Sequence, residues 1–341
     1  MINQRRLLEL KDKQKVEVVV LTYPISTDQQ IQLIELLQEE WDRTDVDWLQ
    51  SMRGMYSDTL RTHVALGLID RKLVATASIA LPIDHPEVAV IEDVMTHKTY
   101  RGLGIAANLT NHLVQIAWKA GCRSIYLGNA IRQNTVYERI GFKRVSGAIM
   151  RCALPGQSDP EITFYAPGQP TTIRSTTWGH LPGVACLLAQ PLSSLVVDFN
   201  RGLVSSRYIS PLRCVSNFTV LWYDVQAQAG QMETLIGAAP NRVLGLASLT
   251  PQPSPLRKHI GVIDGVTHDN YSADLTKLLE RLVKNAQQKK IQLLQAYVST
   301  TDLNKEESFK AIGLSTVTTF SKAILLDNKP ITVKLMQRQL N

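Results

Sequence analysis

Six consecutive residues, Arg101, Gly102, Leu103, Gly104, Ile105 and Ala106, fit the pattern Arg-x-x-Gly-x-Ala between a strand-like run and a helical one. Glycines in such a turn let successive backbone N–H groups face one point. The positive end of the following helix adds to them, so the segment has the chemistry of a pyrophosphate site. The same glycines would also serve a plain tight turn. The dinucleotide fingerprint Gly-x-Gly-x-x-Gly fails at Ala107, and the segment lacks the Gly-Lys-Ser or Gly-Lys-Thr ending of a P-loop.

Residues 91–104 have a degenerate echo at 262–275. Asp93, Thr96, His97, Tyr100 and Tyr126 recur as Asp264, Thr267, His268, Tyr271 and Tyr297, at a constant offset of 171. Ala77 and Ser78 match Ala247 and Ser248, while Tyr137, Gly141 and Phe142 reappear as Phe309, Gly313 and Leu314. Matches in one order and near-constant register imply a duplicated fold. Only the first copy keeps its glycines; the second has Ser272, Ala273 and Asp274, the last adding a negative charge where a phosphate would lie. One working copy is therefore expected. His97 and His268, present in both, read as loop-stabilising, and Asp93, which persists as Asp264, reads as structural.

A chain of 341 residues predicts two domains, each large enough for its own core. With 44% apolar and 20% charged residues, it has the composition of a soluble globular protein. No apolar run is long enough to span a bilayer, so no membrane partner is expected. The mixed basic and acidic N-terminus does not read as a signal peptide, which makes the cytoplasm the expected location. Cys122, Cys152, Cys186 and Cys214 lack the paired spacing of a metal or redox site and read as reduced thiols in or near the cores. The net charge of +7 is scattered among acids without a basic stripe, so an anionic cofactor or an ordinary solvated surface is expected rather than nucleic acid.

The elements that must position the glycine segment follow from periodicity. Val16–Thr22 reads as a strand, and Ser26 to Asp28 cap a helix running to about Trp41. Strands are predicted over Thr62–Ile69 and Lys72–Leu81, joined by a turn at Asp70 and Arg71, and over Glu87–Thr96. A helix over 104–120, stopped by Gly121, comes next. A strand at Ser124–Leu127, a short helix ending at Gly141 and a strand over Lys143–Cys152 complete the unit. The proline- and glycine-rich stretch 153–170 reads as the linker between a domain at 1–152 and a degenerate one at 171–341. Beyond it, strands are expected near 217–224, 242–249, 258–266, 291–299 and 315–325, with helices at 272–289 and 303–312.

The run from Glu92 to Ala106, with Tyr137, Gly141 and Phe142 after it, resembles the GNAT superfamily of acyl-CoA-dependent N-acyltransferases. The resemblance covers residues 16–152. It implies an α/β fold of the α+β mixed-sheet kind, in two tandem GNAT-like domains, each a mostly antiparallel mixed sheet flanked by helices. It further implies that the backbone from Arg101 through Gly102, Leu103, Gly104 and Ile105 to Ala106 holds the pyrophosphate of acetyl-CoA or another acyl-CoA. The backbone of Val94 and Thr96 would meet the pantetheine and the acyl carbonyl. A family asparagine that contacts the cofactor has two counterparts, Asn129 and Asn134, neither at quite the usual spacing; Asn134 is the one assigned here.

Acyl transfer to an amine needs a neutral nucleophile, a polarised carbonyl and a proton for the departing thiolate. Tyr137 resembles the family tyrosine that acts as general acid, though a core aromatic would read the same. Its second-copy counterpart Phe309 packs as well but has no proton to give. Glu92 is the first candidate for the base, directly or through water, set against an exposed strand residue; Ile263 replaces it in the second copy. The expected function is direct N-acetyl transfer in the first domain to a primary amine, a small molecule before a protein lysine or N-terminus. The alternative is a non-catalytic acyl-CoA-binding or regulatory module.

Overall fold

The computed structural model describes residues 4–10, 12–39, 46–128, 134–146, 149–157, 159–194, 218–326 and 328–340. They form two compact units. One takes the described residues up to Pro160 and Thr177–Gly183; the other takes Glu161–Thr176 and the described residues from 184 onward, Thr177–Gly183 excepted.

The first unit contains β1 (Gln4–Glu9), β2 (Lys15–Thr22), α1 (Thr27–Gln38), α2 (Val46–Met52), β3 (Leu60–Ile69), β4 (Lys72–Pro82) and β5 (Val88–Thr96). It continues with α3 (Ile105–Ala120), β6 (Ser124–Gly128), α4 (Asn134–Glu138), β7 (Lys143–Ser146) and β8 (Ile149–Ala153). Its sheet has the order β1-β2-β3-β4-β5-β6-β8-β7, antiparallel except where β5 runs parallel to β6. Local chemistry sets these elements. Ser26 caps α1 in a capping box with Gln29, and Gly121 ends α3 in a left-handed conformation. Asp70 and Arg71, both at positive φ, make the two-residue turn between β3 and β4 that suits the twist of a hairpin. The single strand expected over Lys143–Cys152 is instead the hairpin β7–β8, and β1 and α2, six and seven residues long, are too short to show a period.

One face of this sheet packs on α3: Val16, Val18, Val20, Ala65, Ala75, Ala77, Ile79 and Ile91 close on Ile105, Leu109 and Leu113. Small side chains on β3 and β4 let the helix approach. Each buried leucine of α3 contributes about 2 kcal/mol of apolar transfer. The other face, with Tyr23, Val64, Leu66 and Met95, packs on Leu33, Leu36 and Leu37 of α1 and Met52 of α2.

After α5 (Pro160–Phe164), which lies inside the stretch read as a linker, come β9 (Thr172–Ser175), α6 (Leu181–Ala189), α7 (Phe218–Ala227), β10 (Gln231–Ile236) and β11 (Val243–Pro251). Then follow β12 (Ile260–Thr267), α8 (Leu275–Gln288), β13 (Leu293–Ser299), α9 (Leu303–Ala311), β14 (Ser315–Leu326) and β15 (Lys329–Gln339). The run expected as a strand near 217–224 is the helix α7: Phe218, Leu221 and Val225 are buried at helical spacing, which outweighs their β propensity. The second sheet has the order β9-β10-β11-β12-β13-β15-β14. That is the first sheet's order strand for strand, without β1. Two mixed sheets of one topology, each flanked by helices, are the tandem α/β architecture the resemblance implied.

Candidate functional site

The two central parallel strands of the first unit part company. Val88, Ala89 and Val90 pair with Ser124, Ile125 and Tyr126, after which β5 continues to Thr96 and β6 to Gly128 with no further pairs between them. Among the described residues, the β6 side of the second half of β5 is thus left without a strand partner. Open backbone at a sheet's centre is available to an extended ligand.

At the same level β5 bulges. Ser78 lies opposite Glu92 and Thr76 opposite Met95, so Asp93 and Val94 together face Ala77, and Asp93 takes a positive φ of 50°. A regular strand would send Glu92 and Asp93 to opposite faces. Here the Ser78 Oγ lies 3.1 Å from the Glu92 carbonyl and 3.2 Å from Asp93 Oδ2, so the Asp93 carboxylate turns to the serine that stands opposite Glu92. That row continues through Val64 to Leu21, on the α1 side of the sheet. Tyr23 closes it from the end of β2. Burial pushes its phenol well up from the usual range, and the charges of Asp93 and Glu92 push it further. No local signal marks Tyr23 as a site residue, and Ser78, repeated as Ser248, is visible only as part of the echo.

Downstream of β5, His97 Nδ1 accepts from the Thr99 N–H at 3.2 Å and caps the 3-10 turn Lys98–Tyr100. His268 does the same for Asn270 N–H at 3.2 Å, the loop-stabilising role read from the repeat. Arg101 Nε donates to the Thr96 carbonyl at 3.0 Å, which ties the glycine loop to the strand and takes one of that oxygen's two lone pairs. Gly102 and Gly104 have φ of 82° and 88°, and Gly104 begins α3 with no side-chain cap. A Cβ on Gly102 would meet nothing within 4 Å, and one on Gly104 only Asn108 Nδ2 at 3.9 Å. The space before this 16-residue helix is therefore open, and the first N–H groups of α3 face it. Thr96 Oγ1, nearby on β5, is buried without a hydrogen-bond partner. An anionic group with a polar arm along β5 fits these residues.

The remaining candidates sort by face. Val94, Leu103 and Tyr137 pack partly buried against the α3-side cluster, while Ile105 is wholly buried, so only its backbone can face a ligand. Tyr137 stands edge-on to Phe142, ring centres 6.1 Å apart. Glu92 lies on the opposite, α1 side. The two proposed catalytic groups thus flank β5 from either side, next to the split in the sheet. Asn129 and the side chain of Asn134 lie outside the described residues, as does Cys214. Cys122, Cys152 and Cys186 are free and buried, and burial pushes the Cys122 thiol up to about 12 and Cys152 to about 11. Among the described residues no group of three or more His, Cys, Asp or Glu could hold a metal, and no helix is long and apolar enough to cross a membrane.

In the second unit the same places are filled differently. β12 parts from β13 after Val262 and Gln295, but its pairing with β11 is unbroken and carries Asp264 opposite Ser248. Asp274, ion-paired with Lys277 at 2.7 Å, stands at the start of α8 where Gly104 begins α3.

A mixed sheet split beside a glycine-lined, uncapped helix start offers open strand backbone and helix N–H groups side by side. Residues 31–142 match the sequence model of the acetyltransferase (GNAT) family. Among solved structures, the chain is similar to a GNAT superfamily phosphinothricin acetyltransferase from Sinorhizobium meliloti in complex with AcCoA, at 10% identity and a TM-score of 0.42, over 50% of this chain and 89% of that one. It is also similar to a ribosomal-protein-alanine N-acetyltransferase from Brucella melitensis, at 17% identity, a TM-score of 0.39 and coverage of 50% and 99%. An acetyltransferase of the GNAT family from Streptococcus pneumoniae matches at 19% identity and a TM-score of 0.40, over 50% and 100%. No curated protein sequence matches the chain.

Proposed function

We propose that the first unit transfers an acyl group, in the first instance acetyl, from acyl-CoA to a primary amine by direct attack. The observation that carries this reading is the conjunction, in one unit, of open β5 backbone with the open glycine approach to α3. The pyrophosphate would lie against the N–H groups from Gly102 to Ala106, and the pantetheine arm along Val94 and Thr96. Acyl-CoA, the cosubstrate of the family, supplies the activated carbonyl.

Glu92 takes a proton from the incoming ammonium, and the neutral nitrogen forms a bond to the thioester carbon as the C–S bond breaks. Tyr137 gives its phenolic proton to the departing thiolate. The second nitrogen proton restores Tyr137, and Glu92 releases its own to solvent, so one proton is set free per amide formed. The second unit keeps the ring as Phe309 but lacks the hydroxyl.

The test is to bind acetyl-CoA to the purified chain and to follow thiol release with a panel of primary amines. Binding with amine-dependent release supports the proposal. Binding without release from any amine would point to the non-catalytic acyl-CoA module, and no binding would overturn both.

A further inference from the structure

The side chain of Lys305 crosses the second sheet from one face to the other. Gly265 faces α8, since a Cβ on it would meet Leu275 Cδ1 at 2.9 Å. Its partner Ala247 stands in one row with Glu233, whose carboxylate takes Asn285 Nδ2 at 3.1 Å and Arg281 Nε at 3.2 Å, both from α8. β12 pairs with β11 without a break, so side chains alternate along it and Asp264, next to Gly265, points to the face away from α8. α9 packs against α8 and β13, on the α8 face. Lys305 belongs to α9 and is 1% exposed, and its Nζ forms an ion pair with Asp264 Oδ1.

That arm cannot pass between β11 and β12, which are paired over residues 261–267 of β12. It passes where β12 has parted from β13, beyond Val262 and Gln295. Apart from the ion pair, its nitrogen has no hydrogen-bond partner among the described residues, and the centre of the Phe309 ring lies 5.8 Å away. Four methylenes and an ammonium thus fill the opening between the parted strands.

By register the first unit's carboxylate at the place of Asp264 is Glu92, each opposite its serine, because the bulge gives β5 one residue more than β12. Counted back from the aromatic pair Tyr137 and Phe309, the residue aligned with Lys305 is Gln133, shorter and uncharged. The first copy therefore brings no ammonium from that position.

We infer that the split in the second sheet is a slot for a primary alkylammonium, filled from within by Lys305, and that this arm closes the parted strand to an extended ligand. The ligand class follows from the occupant: one unbranched chain, a methylene wide, ending in an ammonium at a nearly enclosed carboxylate. The inference concerns the second unit alone and stands whether or not the first transfers an acyl group. Without the arm, the carboxylate loses its countercharge and the strands face an empty channel.

Lys305→Ala removes three methylenes and the ammonium, the atoms of n-propylammonium. The full chain carrying it is melted in n-propylammonium chloride, in potassium chloride of equal strength, and with 1-propanol and tetramethylammonium as the uncharged and the too-wide controls. n-Propylammonium should raise the melting temperature of this variant by about 3 °C or more and that of wild type by less than about 1 °C. Lys305→Met, whose uncharged arm refills the slot, should respond no more than wild type. A shift in Lys305→Ala no larger than in wild type, or one matched by 1-propanol or tetramethylammonium, would overturn the inference. A second measurement needs no variant. In the folded wild-type chain, succinic anhydride followed by peptide mass mapping should modify Lys305 at least about 100-fold more slowly than the exposed Lys284. Comparable rates at the two lysines would show the slot open and overturn the inference even if the alanine variant does not fold.

Discussion

Gly104 and Asp274 hold the same place in two sheets of the same strand order: each is the N-cap residue of the helix that follows the central split strand, and neither caps it with a side-chain hydrogen bond. Gly104 has a φ of 88° and open space before it, whereas Asp274 is right-handed at −82° and carries a carboxylate. A helix start attracts a negative charge, and a carboxylate already there competes with an incoming phosphate.

Gly104→Asp should therefore convert the first site toward the second. The positive φ costs a non-glycine residue about 1–2 kcal/mol, a melting shift of a few degrees for a unit of this size. The added charge should weaken acyl-CoA on the order of 100-fold. Gly104→Ala separates the two effects. It should show the same melting shift with a much smaller loss of affinity, both read by calorimetry.

Tyr137→Phe keeps the edge-on contact with Phe142 and removes one hydroxyl. Phe309, fully buried at the equivalent place, shows that the ring alone packs there. The variant should keep its melting temperature within about 2 °C, bind acyl-CoA as wild type does, and lose roughly 100-fold in kcat. A kcat within a factor of three of wild type would leave Tyr137 as a packing residue only.

How much of this was legible in the sequence varied with how local the determinant is. Ser26 with Gln29, Asp70 with Arg71, and Gly121 are turn and cap signals that act within a few residues, and each stands where the sequence placed it. α7 was misread because a run rich in aromatic and β-branched residues is strand-like by propensity, while its fate is set by what it packs on. The bulge at Asp93 has no local signal at all, since two adjacent acids look the same in a regular strand. Tyr23, 70 residues upstream of Asp93, joins the site only through the pairing of β2, β3, β4 and β5. The repeat told which copy had lost its glycines, but not that Lys305 would stand at Asp264.

His63 should make the first unit acid-sensitive. It lies on β3 at 3% exposure, with Nδ1 2.8 Å from Thr22 Oγ1. Burial first, then the charge of Arg61, lowers its imidazole from 6.5 to about 4. The unfolded chain takes up this proton near pH 6.5 and the folded one only near 4, so the stability contributed by the neutral ring is complete above 6.5. It falls as the pH drops from 6.5 to 4, by roughly 3 kcal/mol at most, and changes no further below that. Urea denaturation at pH 7 and pH 4.5 should show the loss, and His63→Gln should flatten it.

Asp264 and Lys305 give the second unit its own test. The pair is nearly enclosed, with side-chain exposures of 14% and 1%, and Asp264 also accepts from the Gly265 N–H at 2.7 Å. Removing one partner leaves the other charge buried without compensation, which typically costs about 3–5 kcal/mol, whereas replacing both with apolar groups is often neutral. Asp264→Ala should therefore destabilise the second unit by about 3 kcal/mol or more in urea denaturation. Lys305→Met should cost less, because the Gly265 N–H still serves the carboxylate and a little of it reaches solvent. The double variant Asp264→Leu with Lys305→Met should recover to within about 1 kcal/mol of wild type, a coupling that two independent surface charges would not show. Additive losses in the double variant would mean that the two groups do not neutralise one another.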